Sequence, residues 1–412
     1  MTADRQAAQR QDETDPLRHM RDEFLLPDGV IYLDGNSLGP LPRRSRDRVA
    51  RAVDQEWGHD LIRSWNTAGW FDLPSTVGAK IARLIGAEAD EVVAADSTSI
   101  NLFKLSVAAA RLRPGRRVIL SDSGNFPTDL YIGQGIADLL GQGLEMRVVD
   151  RDQVLAAIDE NVALVMLTEV DFRDGRRHDV AAVTAATHKA GALMLWDLCH
   201  SAGALPVDLN GVGADLAVGC GYKYLNGGPG APAFLFVARR LQADIRPPLS
   251  GWWGHDRPFD FVTDYRAADG IRRNLCGTQP ILSFSALDAA LDLWDGVDMA
   301  ALRAKSVALC ESFITLVERD CGQYGLTLAS PRDADRRGSQ VSFRHPEGYA
   351  IMQALIARGV IGDFRAPDVL RFGFAPLYIR HVDVVDAVAI LHNILATGSW
   401  DAPEFRARAA VT

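Results

Sequence analysis

A chain of 412 residues is long enough for two domains, or for one large domain with a lobe. With 48% apolar and 24% charged residues it has the make-up of an ordinary soluble globular protein. The net charge of −9 argues against a nucleic-acid partner, and no apolar run is long enough to cross a bilayer. The N-terminus is polar through about Glu23 and lacks the apolar core of a signal peptide. Five cysteines, at 199, 220, 276, 310 and 321, include no pair at zinc-site spacing, which points to a reducing cytoplasm.

Residues 1–23 read as a flexible or helical arm. Residues 30–33 and the Asp34-Gly35-Asn36-Ser37 that follows read as a short strand and a turn. A helix is expected over 43–57, then a loop at 62–66 with an exposed aromatic, Trp65, then a helix over 76–85 closed by Gly86. Residues 92–96 form a strand, and Ser97-Thr98-Ser99 open a helix through Leu112. Six more strands are expected at 118–120, 146–149, 163–167, 193–196, 216–218 and 234–237. Helical stretches separate several of them, including 129–140 and 180–190. That alternation means an α/β fold, a mostly parallel sheet with helices on both faces. From about Ile281 the pattern changes to long helices, 284–294 and 299–319. A small mixed α+β lobe follows, with strands at 340–343 and 370–374, a helix at 349–357 and a last helix at 382–395.

The functional reading starts from two of the strands. Residues 193–196 stop at Asp197, and 216–218 run on into Gly219-Cys220-Gly221-Tyr222-Lys223. Short apolar runs joined by a helix-sized connection read as buried parallel strands. Ligand chemistry in open α/β sheets sits beyond the carboxyl ends of such strands, so Asp197 and Lys223 fall on one rim. Lysine is scarce, at 80, 104, 189, 223 and 305 only, and arginine cannot form a stable Schiff base at neutral pH. The other four lie in helix-like stretches, where a solvated lysine is the ordinary case. Lys223 alone follows a strand in a turn rich in glycine and aromatics. A lysine and a carboxylate so placed suit pyridoxal 5'-phosphate (PLP), the lysine bonding its aldehyde and the aspartate keeping its pyridine nitrogen protonated.

Other chemistries fit less well. No GxGxxG opens a helix after a strand, and Gly227-Gly228-Pro229-Gly230 lacks the lysine of a P-loop. Asp197 with His200 is a metal pair without a third ligand nearby, and no Gly-x-Ser-x-Gly is present. A PLP site also needs a phosphate cup, a group stacked on the ring and an arginine for a substrate carboxylate. Ser97 with Thr98, Phe126 and Arg371 can supply these. Each has an ordinary reading alone, as helix cap, core ring and surface charge. Their joint placement at strand ends favours the site.

Tyr32-Leu33-Asp34-Gly35-Asn36-Ser37-Leu38-Gly39, residues 125–131, 196–201 and 222–230, Gly251-Trp252-Trp253-Gly254-His255, Cys276-Gly277-Thr278-Gln279-Pro280, residues 338–343 and Arg371-Phe372-Gly373-Phe374 together resemble the kynureninase family. The resemblance runs from about residue 25 to the C-terminus and is nearest to the bacterial branch. It implies a fold-type I PLP enzyme. The division would be an arm with part of a small domain (1–57), a large PLP-binding α/β domain (58–283) and a C-terminal small domain (284–412). It implies a cytoplasmic homodimer that hydrolyses L-kynurenine to anthranilate and L-alanine in tryptophan degradation. The 3-hydroxy form of the substrate stays open, although Trp65 and Gly277 lean towards kynurenine.

The same resemblance implies roles for single residues. Lys223 carries the cofactor and moves the substrate's α-proton. Asp197 and Asp129 bind the pyridine nitrogen, and Phe126 stacks on the ring, with Pro127 and Thr128 in the same cofactor-binding run. Ser97, Thr98 and Tyr222 hold the phosphate, and Thr168 and His200 complete the cofactor's surroundings. Trp252 and Thr278 reach the cofactor phosphate of the partner subunit. Arg371 takes the substrate carboxylate, while Trp65, Gly277 and Thr278 line its aryl end. Tyr222 is also the candidate acid–base group at the substrate carbonyl.

One stretch departs from the pattern. After Thr168 the resembling sequences carry His-Val-Asn-Tyr-Lys-Thr-Gly, whereas this chain has Glu169-Val170-Asp171-Phe172-Arg173-Asp174-Gly175. Neutral drift in a loop is one reading, and an altered substrate preference or pH profile is the other. Trp253 also stands where phenylalanine is usual. The rivals are another fold-type I reaction, such as cysteine desulfuration, which needs a cysteine on a mobile loop, and a scaffold without activity, which has no use for the lysine, aspartate and arginine.

Overall fold

The computed structural model describes residues 2–141 and 143–407. Its strands, in chain order, are β1 (Ile31–Tyr32), β2 (Val92–Ala94), β3 (Val118–Asp122), β4 (Glu145–Val149), β5 (Val162–Thr168), β6 (Leu193–Asp197), β7 (Leu216–Cys220) and β8 (Ala233–Val237). The C-terminal part adds β9 (Thr327–Leu328), β10 (Gln340–Arg344), β11 (Val360–Ile361), β12 (Asp363–Arg365) and β13 (Val369–Gly373). All six strands expected between 118 and 237 are present.

The central sheet has the order β2-β8-β7-β6-β5-β3-β4. Its neighbours run parallel except where β8 meets β7 and β2. The β7–β8 link, residues 221–232, holds no helix to carry the chain back across the sheet, so β8 returns antiparallel. Side chains alternate between two cores. Leu193 and Leu195 of β6 join Leu102 and Leu105 of the Thr98–Leu112 helix, whereas Met194 and Trp196 join Phe284 and Trp294 on the other face. A sheet covered on both faces explains why these strands read as unbroken apolar runs.

The C-terminal part adds an antiparallel sheet of order β12-β13-β10-β9, in which Ser342 of β10 lies opposite Arg371 of β13. The N-terminal segment joins this part through β1, which runs parallel to β11. The first residues are a helix, Thr2–Thr14. Its Asp12 carboxylate accepts the N–H groups of His381 and Val382, at 2.7 and 3.0 Å, and so caps the His381–Thr397 helix. Residues 62–66 are not a loop, and their aromatic is not exposed as the sequence suggested. They lie in short helical turns, with Trp65 half-buried between Trp70 and Trp253, ring centroids 5.7 and 5.2 Å away. Among the described residues no helix is long and apolar enough to cross a membrane.

Candidate active site

β5, β6 and β7 end side by side. Thr168 pairs with Asp197 and Asp197 with Val218, so Asp197 closes the middle strand of the three. The turn after β7 brings Lys223 back over that end. The Gly39 N–H donates to the Tyr222 carbonyl at 2.8 Å, and a Cβ on Gly39 would lie 2.5 Å from the Lys223 carbonyl oxygen. Only glycine lets the N-terminal segment lie this close to the lysine's turn.

These strand ends enclose a cleft of about 190 Å³. Of the residues expected there, Thr98, Phe126, Thr128, Asp129, Thr168, Asp197, His200, Tyr222 and Lys223 line it. Ser99, Phe172 and Cys199 line it too, and the sequence reading did not assign them to the site. Ser99 was within reach, since it completes the hydroxyl cluster at the helix start. A larger groove, about 740 Å³, runs between residues 21–31 and the His381–Thr397 helix. Its arginines face aspartates and it offers no nucleophile, so size does not mark the site here.

The cleft's charges are arranged around the lysine. Lys223 Nζ lies 3.0 Å from His200 Nε2. Burial, then the Lys223 charge, holds His200 well below the usual histidine range, so its ring is neutral and Nε2 accepts. Asp197 accepts the Cys199 N–H at 2.7 Å, and burial raises its carboxyl. Burial, then the Asp197 charge, pushes Asp129 well above the carboxylate range. Tyr222 is raised as well, mainly by burial, and stays a phenol that can donate. Thr168 donates to Asn125 Oδ1, and Asn125 Nδ2 donates to Ser121 at 2.9 Å, a network that fixes the start of the Pro127–Leu140 helix.

The other lysines are accounted for, though not as expected. Lys104 is fully buried and donates to Asp96 and, at 2.6 Å, to the Asn274 carbonyl. Lys305 is buried on Asp15, and Lys80 is held between Asp288 and Asp292. Helical periodicity suggested solvated side chains, but long-range carboxylates pull these three inward. Lys189 is exposed. Lys223 is therefore the half-buried amine beside a neutral base rather than a carboxylate.

Some expected residues lie away from the cleft wall. Ser97 accepts the Ile100 N–H at 3.4 Å as a helix cap, and Pro127 is the first residue of its helix. Trp65 and Trp252 meet at Trp253 in a separate aromatic cluster, and Gly277 and Thr278 are exposed. Arg371 lies one layer back, 2% exposed. Its Nε donates to Asp363 Oδ1 at 2.6 Å, and Nη2 donates to Asp363 Oδ2 and, at 2.7 Å, to Ser37 Oγ. Nη1 donates to the Phe172 carbonyl at 2.6 Å.

The donor set fits PLP. Asp129 Oδ2 and His200 Nδ1 are buried polar atoms without a hydrogen-bond partner. A buried acceptor left alone costs about 1–3 kcal/mol, which a protonated pyridine nitrogen offsets at Asp129. Phe126 is 41% exposed and lines the cleft, where its ring can stack on a pyridine. Thr98 and Ser99 sit at the start of a 15-residue helix, where free N–H groups favour a phosphate.

Solved structures share this fold. The apo cysteine desulfurase of Thermococcus onnurineus NA1 superposes with a TM-score of 0.77 at 18% identity, covering 92% of this chain and 98% of that one. A C-DES variant with glycine covalently linked to its PLP cofactor gives 0.75 at 19% identity, covering 90% and 99%. Fold and site together define a PLP-dependent enzyme of fold type I. At the level of sequence, the family profile "Kynureninase C-terminal domain" matches residues 302–391. A kynureninase of Burkholderia mallei (strain SAVP1) is 55% identical over 99% of both chains. A kynureninase of Pseudomonas fluorescens is 53% identical over 97% of this chain and 98% of its own. The chain belongs to the kynureninase family. Its likeness to desulfurases is one of fold alone, and Cys199, Cys220, Cys310 and Cys321 are buried while Cys276 is half-buried.

Proposed function

We propose that the chain hydrolyses L-kynurenine to anthranilate and L-alanine with a cofactor held at Lys223. The observation that carries this reading is one half-buried lysine facing a neutral histidine above two buried carboxylates. When bound, PLP supplies the electron sink that lets the substrate's α-carbon lose its proton. The Lys223 amine takes that proton and returns it, and the neutral His200 ring at 3.0 Å can share it. Asp197, with Asp129 beside it, would accept from the pyridine N–H: burial raises both carboxyls, so a negative charge kept in this cleft is stabilised by a protonated ring nitrogen. Phe126 covers one ring face, and Thr98, Ser99 and the helix start, capped by Ser97, take the phosphate. Tyr222 donates its phenolic proton at the substrate carbonyl when water adds there. Arg371 binds the substrate carboxylate and so fixes which bond at the α-carbon faces the lysine.

The rest of the reading concerns assembly. The chain divides into an arm with part of a small domain, a large domain and a C-terminal small domain, and it works as a cytoplasmic homodimer. Large apolar side chains left in solvent support a second copy as their cover: Phe261 is 80% exposed, Ile62 76% and Tyr131 66%. In the dimer, Trp252 and Thr278 of each copy reach the other copy's cofactor phosphate, and Trp65 and Gly277 close on the aryl ring.

The test is turnover of L-kynurenine and its 3-hydroxy form by the purified holoenzyme, with both products quantified. Equal amounts of anthranilate and alanine are expected, with kcat/KM at least about tenfold higher for L-kynurenine because an apolar wall leaves the extra hydroxyl unpaired. Alanine without anthranilate, or a preference for the 3-hydroxy form, would refute the substrate assignment.

A further inference from the structure

The hairpin after β5 forms part of the cleft wall, and the chemistry above gives it no role. Val170 pairs with Arg177 across it. The Asp171 N–H donates to the Arg176 carbonyl at 2.9 Å, and the Gly175 N–H to the Asp171 carbonyl at 3.0 Å. Inside the turn, Asp171 Oδ1 accepts the N–H of Arg173 at 2.7 Å and of Asp174 at 3.3 Å. Those bonds set the direction of the peptide that joins Phe172 to Arg173. Its carbonyl, that of Phe172, accepts from Arg371 Nη1 at 2.6 Å and from Gln340 Nε2 at 3.2 Å. The Arg173 carbonyl accepts from Ser342 Oγ at 2.6 Å. The Phe172 ring meets Phe126 edge-on, centroids 5.0 Å apart. A single turn thus touches the ring-stacking residue on one side and the arginine on the other.

Donor arithmetic makes this contact matter. A guanidinium has five N–H groups. On Arg371, Nε and Nη2 are taken up by Asp363 and Ser37, and Nη1 gives one to Phe172. The remaining N–H of Nη1 makes no hydrogen bond among the described residues, and the second is freed only if the Phe172 carbonyl yields. We infer that the 170–177 hairpin, braced by the Asp171 side chain, is the positioning element for Arg371, holding it aimed through the Phe172 carbonyl and giving that bond up to the substrate carboxylate. This rests on the reading of Arg371 as the carboxylate's partner.

The brace is also charged. Facing the Asp171 carboxyl are Asp174 on its own hairpin and Arg151 Nη1 from the segment after β4 at 3.5 Å; Arg151 also feels the charge of Asp122 at the end of β3, itself 2.8 Å from His178 Nε2. Burial, then the Asp174 charge, pushes Asp171 up to about 6. Above that pH the carboxylate holds both N–H groups and faces Arg151. As pH falls through it the carboxyl takes a proton and both contacts weaken.

KM and kcat for L-kynurenine are measured against pH on the holoenzymes of wild type, Asp171→Asn, Asp171→Ala and Arg371→Lys. In Asp171→Ala, KM is expected to rise roughly tenfold at about pH 8 with kcat within about threefold. Asp171→Asn keeps an acceptor for the two N–H groups but cannot titrate. It should restore KM and lack the rise in KM that wild type shows below about pH 6. An unchanged KM in Asp171→Ala, beside a raised KM in Arg371→Lys, overturns the inference alone. A low-pH rise of equal size in Asp171→Asn also overturns it, and this comparison decides the matter should Asp171→Ala fail to fold. An unchanged KM in Arg371→Lys overturns the reading of Arg371, and the inference with it.

Discussion

Replacing Lys223 by alanine is expected to lower kcat by roughly 10⁴-fold or more, because the variant loses both the amine that bonds the cofactor and the base at the α-carbon. The fold should survive. The Lys223 side chain makes no ion pair among the described residues, and its one polar partner is His200 at 3.0 Å. Contrast Lys104 and Lys305, whose removal would strand Asp96 and Asp15. Unfolding temperature without cofactor should therefore stay within a few degrees of wild type, while the visible band of the bound cofactor disappears. A variant that keeps that band and turns over at the wild-type rate would place the chemistry elsewhere.

The second large effect falls on Arg371. Arg371→Lys keeps the charge but loses the planar fork, so a carboxylate is held by one point donor rather than two parallel bonds. A loss of about 3 kcal/mol corresponds to a fall in kcat/KM of roughly 10²-fold, expressed mainly in KM. Lysine is the informative substitute. Removing the charge altogether would leave Asp363, 2% exposed, with the Ser37 hydroxyl and the partly exposed Arg365, each at 2.8 Å, and breaking a buried pair costs about 3–5 kcal/mol. Loss of activity by unfolding would then mask the loss of binding. The acids around Arg371 add a further constraint. Burial, then the Asp363 charge, pushes Asp34 up to about 7, so of the two carboxyls near the arginine this one is only partly ionised at neutral pH.

How much of this was legible in the sequence follows from what sets each feature. Asp197 and Lys223 could be read because a strand buried on both faces leaves an unbroken apolar run, and such a run ends where its chemistry begins. The Thr98–Leu112 helix could be placed because its cap, Ser97, is a local device. Trp65 could not, since only Trp70 and Trp253 decide that its indole turns inward. The burial of Lys104 and Lys305 was hidden for the same reason, because Asp96 and Asp15 reach them from other elements. Arg371 was identified by motif, yet its set of partners arises where β12, the Ser37 turn and the β5 hairpin converge, and no local pattern encodes that meeting. The departure at 169–175 was visible as letters, but its contact with Arg371 required the fold.

The central claim is tested most directly by fixing the cofactor in place. Borohydride added to the holoenzyme joins PLP permanently to the amine it is bonded to, and peptide masses then locate it. The cofactor's mass is expected on the peptide that contains Lys223 and on no other. Finding it on a peptide carrying Lys80, Lys104, Lys189 or Lys305, or on none, would contradict the account.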